Sequence, residues 1–157
     1  MRLAQWETLY DLGARKFAVI GTGLIGCTPA RRSSTPSGDC NHDLNDLSLR
    51  FKTATKALLE ELSISLQGFK YSFGDLYEIT APVFSNPLAF GFTEVKAACC
   101  SPCTGSSTYC RDRGRYFFLD GVHSTQAAYK VTVEMSFRGD AILFASPINM
   151  ETLVNST

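Results

Sequence analysis

The sequence predicts an α/β protein, because three successive stretches read as strand, helix and strand. Lys16-Phe17-Ala18-Val19-Ile20-Gly21 is a continuous apolar run, the pattern of a strand covered on both faces. Leu44, Leu47, Phe51, Ala54, Leu58 and Leu62 then recur at steps of three and four residues, the period of a helix that lays one apolar face on a sheet. Phe69, Tyr71 and Phe73 alternate with Lys70 and Ser72, the period of a second strand.

A chain of 157 residues, 45% of them hydrophobic, is long enough for one domain with a real core, and 15 basic residues balance 15 acidic ones. Without net charge or a basic run, nothing recruits nucleic acid. No apolar stretch approaches the length of about 20 residues that a membrane helix needs, so no integral membrane segment is expected and the protein should be soluble. The six cysteines, Cys27, Cys40, Cys99, Cys100, Cys103 and Cys110, are many for a reducing compartment, and their even number predicts three disulfides made under oxidising conditions. No signal peptide opens the chain. Leu3, Trp6 and Tyr10 fall at helical spacing from the start, so the sequence reads as beginning inside a domain, a truncation.

In order, residues 2–12 read as the tail of an amphipathic helix closed by Gly13. The strand that follows breaks into Gly21-Thr22-Gly23-Leu24-Ile25-Gly26, which matches the dinucleotide-binding pattern Gly-x-Gly-x-x-Gly. That fingerprint needs a helix opening on its last glycine, whereas Cys27-Thr28-Pro29 and a polar loop come next, so no helix N-terminus faces a phosphate. The long helix has Asn41 as cap and Gly68 as end, and the strand through Phe73 runs into Asp75 as an outer strand. A short helical piece and a turn at Asn86-Pro87 precede the cysteine cluster. Cys100 and Cys103 have zinc-like spacing, with Cys110 or His123 available to complete a site, but the vicinal Cys99-Cys100 pair does not readily aim both thiolates at one metal and a second Cys-x-x-Cys is missing. From Thr125 a helix runs to about Arg138 with Ala127, Ala128, Val131 and Met135 inward, and Ala141-Ile142-Leu143-Phe144 forms an apolar tail. Asn155-Ser156-Thr157 fits the N-glycosylation sequon.

The chemistry-bearing stretch lies just before that helix. Asp120 and His123, with two residues between them on a tight turn and Gly121 letting the backbone bend, can place a carboxylate on one imidazole nitrogen and leave the other free to take a proton. The same residues also fit a plain helix start, with Ser124 or Thr125 as cap and Asp120 complementing the positive end.

Leu119-Asp120-Gly121-Val122-His123-Ser124-Thr125-Gln126-Ala127-Ala128 resembles the last sequence block of the GDSL-type esterase/lipase family, the plant branch of the SGNH hydrolases, Trp-Asp-Gly-x-His-Pro-Thr-x-Ala-Ala. Leu119 replaces an aromatic residue and Ser124 a proline. Gly13-Ala14-Arg15-Lys16-Phe17, Gly26-Cys27, the helix start with Asn41, Asn45 and Phe51, and Asn86-Pro87 with Phe90-Gly91-Phe92 are similar to further family segments. The resemblance implies an SGNH-hydrolase (flavodoxin-like) three-layer sandwich, of which residues 1–157 are a single partial domain, the carboxyl-terminal half, with about two parallel strands and three to four helices. It also implies Asp120 and His123 as catalytic residues of a Ser-Asp-His mechanism on acyl or lipid esters, no cofactor, and a secreted protein. It implies a disulfide from Cys27 to Cys40 and two more joining Cys99 and Cys100 to Cys103 and Cys110 in an order left open.

The family's Gly-Asp-Ser block and its two oxyanion blocks are absent from these 157 residues. Phe73-Gly74-Asp75-Leu76 lacks the hydroxyl, and Ser37-Gly38-Asp39-Cys40 sits in a polar loop where Cys40 is expected to pair with Cys27 rather than act as nucleophile. The expected edge at Phe17 to Ile20 would then lie open and invite self-association. The readings are thus an ester hydrolase present in truncated form, a non-catalytic binding module on the same frame, and a small zinc-binding domain.

Overall fold

The computed structural model describes residues 3–104 and 109–157, with the side chains of Leu3 and Ala4 also left aside, so the first residue of the expected opening helix lies outside the described set. Helix α1 (Leu3–Asp11) ends at Gly13, whose φ of 99° only glycine adopts at low cost. Strand β1 (Lys16–Ile20) leads through a 3-10 turn at Ile25–Cys27 and the four-residue helix α2 (Pro29–Arg32) to the long helix α3 (His42–Ser65). Strand β2 (Lys70–Gly74) and helix α4 (Leu76–Ser85) follow, then β3 (Glu94–Ala98) and β4 (Tyr116–Phe118). Helix α5 (Gln126–Arg138), β5 (Ala145–Ser146) and α6 (Met150–Asn155) complete the described chain. No described helix is long and apolar enough to cross a membrane.

The architecture is mixed α/β, with more strands than the two expected. β1 and β2 pair in parallel, Lys16 opposite Lys70 and Ile20 opposite Gly74, and β5 adds antiparallel to the far side of β2. β2 is therefore central and not the outer strand that the sequence suggests, because the Ala141–Phe144 segment turns and delivers Ala145 back beside Gly74. β3 and β4 form a separate parallel pair.

One face of the first sheet is aromatic. Phe17 stacks on Phe69 with ring centroids 4.4 Å apart, Trp6 meets Phe17 edge-on at 5.5 Å, and Val19, Leu59, Leu62 and Phe73 close this core. Lys16, Ala18 and Ile20 are exposed, so β1 is covered on one face only, which corrects the expectation of cover on both. On the opposite face α6 packs beside β2, where the side chains of Met150 and Ser136 both approach Gly74, and at the sheet's edge Lys16 Nζ donates to the Val154 carbonyl at 2.9 Å. A second core joins α4, β3, β4 and α5 through Val83, Phe92, Val95, Phe117, Phe118 and Ala128.

The long helix packs Leu58 and Leu62 on the core as its apolar spacing suggests, but its first half presents a different face. Asn45, Ser48, Thr55, Leu59 and Leu62 are buried, while Leu47 and Phe51 are 57% and 41% exposed. The reason is what its first half meets. Asn41 caps the helix by accepting from the Leu44 amide, and Asn45 Oδ1 accepts from the Gly26 amide at 2.9 Å. The Asn41 amide in turn donates to the Gly26 carbonyl at 2.9 Å. A side chain at Gly26 would run into the Asn41 carbonyl oxygen, so the glycine is required for this contact.

Lys52, which sequence periodicity does not single out, reaches Asp75 at 2.9 Å and Glu78 at 2.6 Å. Asp75 is buried and also caps α4 by accepting from the Glu78 amide at 3.2 Å. Burial alone would lower the Lys52 pKa, but its bonds to Glu78 and Asp75 outweigh that and raise it. Replacing Lys52 by Ala leaves a nearly enclosed carboxylate without its partner. We expect a loss on the order of 3 kcal/mol of unfolding free energy in urea titrations, with Lys52→Arg recovering most of it.

Candidate active site

The site is built by a chain reversal at the end of β4. The Leu119 amide donates to the His123 carbonyl at 2.8 Å, and Phe118 bridges antiparallel to Ser124, so residues 119–123 form a closed loop. Inside it Asp120 Oδ1 accepts from the Val122 amide at 2.8 Å and the His123 amide at 2.7 Å. That leaves Oδ2 for the His123 ring, whose Nδ1 lies 2.8 Å away. The pairing expected from sequence spacing is thus present as geometry. Its turn is made by the aspartate side chain and not by a special backbone at Gly121, which is absent from the residues with positive φ. Gly121 has another use: a methyl group there would come within 3.3 Å of Ala30 Cβ.

The aspartate is electrostatically fixed. The amides of His123 and then Val122 hold its carboxyl at a pKa of about 2, below the ordinary 3.8, with the imidazole contributing less. An ionised Asp120 accepts a hydrogen bond from Nδ1–H, which in the neutral imidazole leaves the lone pair on Nε2. The His123 side chain is 69% exposed, so it is open to an incoming partner.

Backbone donors from two other segments hold the loop. The Ala30 amide donates to the Gly121 carbonyl and the Cys100 amide to the Leu119 carbonyl, both at 2.9 Å, so the peptide oxygens on either side of Asp120 are fastened. Cys99 supports the strand behind by donating to the Phe118 carbonyl at 3.0 Å. Both donor segments are cross-linked. Cys27 pairs with Cys40, closing the stretch that carries Ala30, while Cys99 pairs with Cys110 and Cys100 with Cys103. This resolves the connectivity left open by the sequence. With all six sulfurs in disulfides the zinc reading loses its thiolates, and Cys40 has no thiol to act as nucleophile. Among the described residues no three His, Cys, Asp or Glu side chains converge as a metal site.

The capping part of the helix-start reading also holds, at Thr125. Thr125 caps α5, accepting from the Ala128 amide at 3.2 Å, and its hydroxyl donates to the Tyr116 carbonyl at 2.7 Å. Capping and the Asp–His pair coexist because Thr125 performs the first and Asp120 the second. Nothing in the sequence pointed to Ala30 and Cys100, since backbone amides act there.

Residues 2–135 match the family model of the GDSL-like Lipase/Acylhydrolase family. A GDSL esterase/lipase of Arabidopsis thaliana is 36% identical over 96% of this chain and 44% of its own length. A second from the same plant is 34% identical over 84% of the chain and 38% of its length, and a GDSL lipase of Tanacetum cinerariifolium 32% identical over 92% and 42%. The chain belongs to the GDSL-like lipase/acylhydrolase family and spans 38 to 44% of the length of these curated relatives.

Because the Asp120 pKa is depressed, the stabilisation it contributes is complete above the ordinary 3.8 and is lost as pH falls through about 2. A carbon-13 NMR titration should place the Asp120 carboxyl midpoint near 2; a midpoint close to 3.8 would mean that the two amide bonds do not persist in solution.

Proposed function

We propose that the chain carries the proton-transfer part of a carboxylic-ester hydrolase acting on acyl or lipid esters. Asp120 holds the imidazole, and His123 Nε2 takes the proton of a serine hydroxyl as the serine oxygen bonds to the ester carbonyl carbon. The tetrahedral intermediate collapses with release of the alcohol, which leaves with the proton from Nε2. Water repeats the sequence on the acyl-serine and frees the acid. The observation that carries this reading is the 2.8 Å bond from Asp120 Oδ2 to His123 Nδ1, made by a carboxylate that two amides already hold in place.

The serine belongs to a Gly-Asp-Ser block that these 157 residues do not contain. Loss of the nucleophile from a working triad costs on the order of a millionfold in turnover. The 157-residue chain should therefore give no measurable release of p-nitrophenol from p-nitrophenyl butanoate, and joining it to the Gly-Asp-Ser-bearing half of an Arabidopsis relative should restore release. His123→Ala and replacement of the new serine should each abolish it. A folded fusion without turnover would favour the non-catalytic binding module.

Three disulfides support secretion into an oxidising compartment. The open edge of β1, beyond which no described strand pairs, supports self-association of the isolated chain. Sedimentation velocity should show species heavier than 17.2 kDa that grow with concentration; a monomer throughout the range would contradict this.

A further inference from the structure

Of the three disulfides, Cys100–Cys103 differs from the others in access and in span. Cys27, Cys99 and Cys100 are buried and Cys40 and Cys110 half-buried, whereas Cys103 is exposed, so it is the cysteine most open to a molecule in solution. The bridge has a sequence separation of 3, against 11 for Cys99–Cys110 and 13 for Cys27–Cys40. Closing so short a loop restrains the unfolded chain least, and its opening costs the folding equilibrium roughly fivefold less than opening either of the others. Access governs how fast an external thiol can exchange with a disulfide, and span how much the fold loses by it. The bridge also touches the Asp120–His123 loop. Cys103 Sγ lies 3.1 Å from the Cys100 carbonyl oxygen and 4.0 Å from that of Leu119, the same oxygen that accepts from the Cys100 amide at 2.9 Å. The bend through Ser101 and Pro102 is thus folded back over the residue before Asp120, and the sulfur bond closes it.

We propose that Cys100–Cys103 is a site of reversible exchange with a small monothiol of the glutathione class, and that its opening loosens the loop that aims Asp120 at His123. The external thiolate attacks Cys103 Sγ, the bond between the two sulfurs breaks, and its electron pair leaves on Cys100 Sγ, which takes up a proton. A second thiolate attacks the external sulfur of the mixed disulfide, Cys103 leaves as a thiolate, and the two monothiols depart joined as their own disulfide. Two electrons pass to the protein in this direction and return in the other. The loop loosens without collapsing, because Cys99–Cys110 and the bond from the Cys99 amide to the Phe118 carbonyl at 3.0 Å still hold the strand behind it. The exchange stands on the geometry of the chain itself, and only its effect on turnover rests on the hydrolase reading above.

The test holds the 157-residue protein at stepped ratios of reduced to oxidised glutathione, blocks free thiols with N-ethylmaleimide and maps the peptides by mass. Cys100 should carry maleimide, and Cys103 glutathione or maleimide, at ratios that leave Cys27–Cys40 and Cys99–Cys110 intact, and excess oxidised glutathione should restore the parent mass. Opening of either other bridge at the same or a lower ratio overturns the proposal. Amide hydrogen exchange reads the coupling. In the opened protein, and in the double variant Cys100→Ser, Cys103→Ser, the Leu119 and His123 amides should exchange about tenfold faster while the amides that pair β1 with β2 keep the parent rate, the pattern of a local opening. Unchanged rates in the loop, or acceleration throughout the chain, would separate the bridge from the site and overturn the second half of the proposal. In the serine-bearing fusion reduced glutathione should lower p-nitrophenol release severalfold and oxidised glutathione restore it, with the double variant indifferent to both. A folded fusion without turnover removes the hydrolase and leaves the exchange results standing, whereas turnover that ignores the thiol removes the control of the site and leaves the hydrolase.

Discussion

Two backbone hydrogen bonds carry the geometry of the site: Ala30 to the Gly121 carbonyl and Cys100 to the Leu119 carbonyl. They hold the carbonyl groups of the residues before and after Asp120 and so limit the direction in which its carboxylate points. Side-chain contacts alone would not do this for a loop whose histidine is largely in water. A carboxylate that can swivel orients nothing, whereas one tied through its own main chain and by two amides presents Oδ2 at one place. The fold can be understood as what is needed to bring those two donors to the loop. The 3-10 turn and α2 deliver Ala30, and the segment after β3 delivers Cys100.

Each delivery is itself reinforced. The Gly26 peptide group bonds in both directions to the start of α3, through Asn45 and Asn41, and Cys27–Cys40 makes that contact covalent. On the other side Cys99 and Cys100 lead to different partners, so consecutive residues of one strand end are each tied down. Closing loops in this way limits the unfolded chain more than it adds contacts to the folded one. The arrangement suits a segment that must hold position without a large core of its own around it.

Much of this was legible in the sequence, and the failures have physical causes. Asp120 and His123 were legible because a three-residue separation places them within reach, and Gly13, Asn41 and Gly68 because cap and stop residues act locally. The face of the first half of α3 was misread since apolar spacing assumes an apolar neighbour, whereas Leu58 and Leu62 do face the core. The first half of that helix instead meets a backbone turn and two carboxylates, so Asn45, Ser48 and Lys52 turn inward and Leu47 and Phe51 outward. β5 and α6 were missed because two residues of strand and six of helix are too short to show a period. The placement of β2 depended on that missing strand. Ala30 and Cys100 were invisible for a different reason: they act through amides, which every residue but proline possesses.

The fastening of the 119–124 loop by main-chain atoms bears on how this block varies. Its hold does not depend on what the side chains at 119, 122 and 124 are, so substitutions there leave the clamps intact. Leu119 in place of an aromatic residue and Ser124 in place of proline are such changes. Length is another matter. Thr125 joins the Tyr116 carbonyl to the first turn of α5, and Phe118 pairs with Ser124, so both ends of the loop are pegged to one register. One inserted or deleted residue would shift the histidine to the other side of the reversal and strand its aspartate. The block can drift in spelling but not in metre.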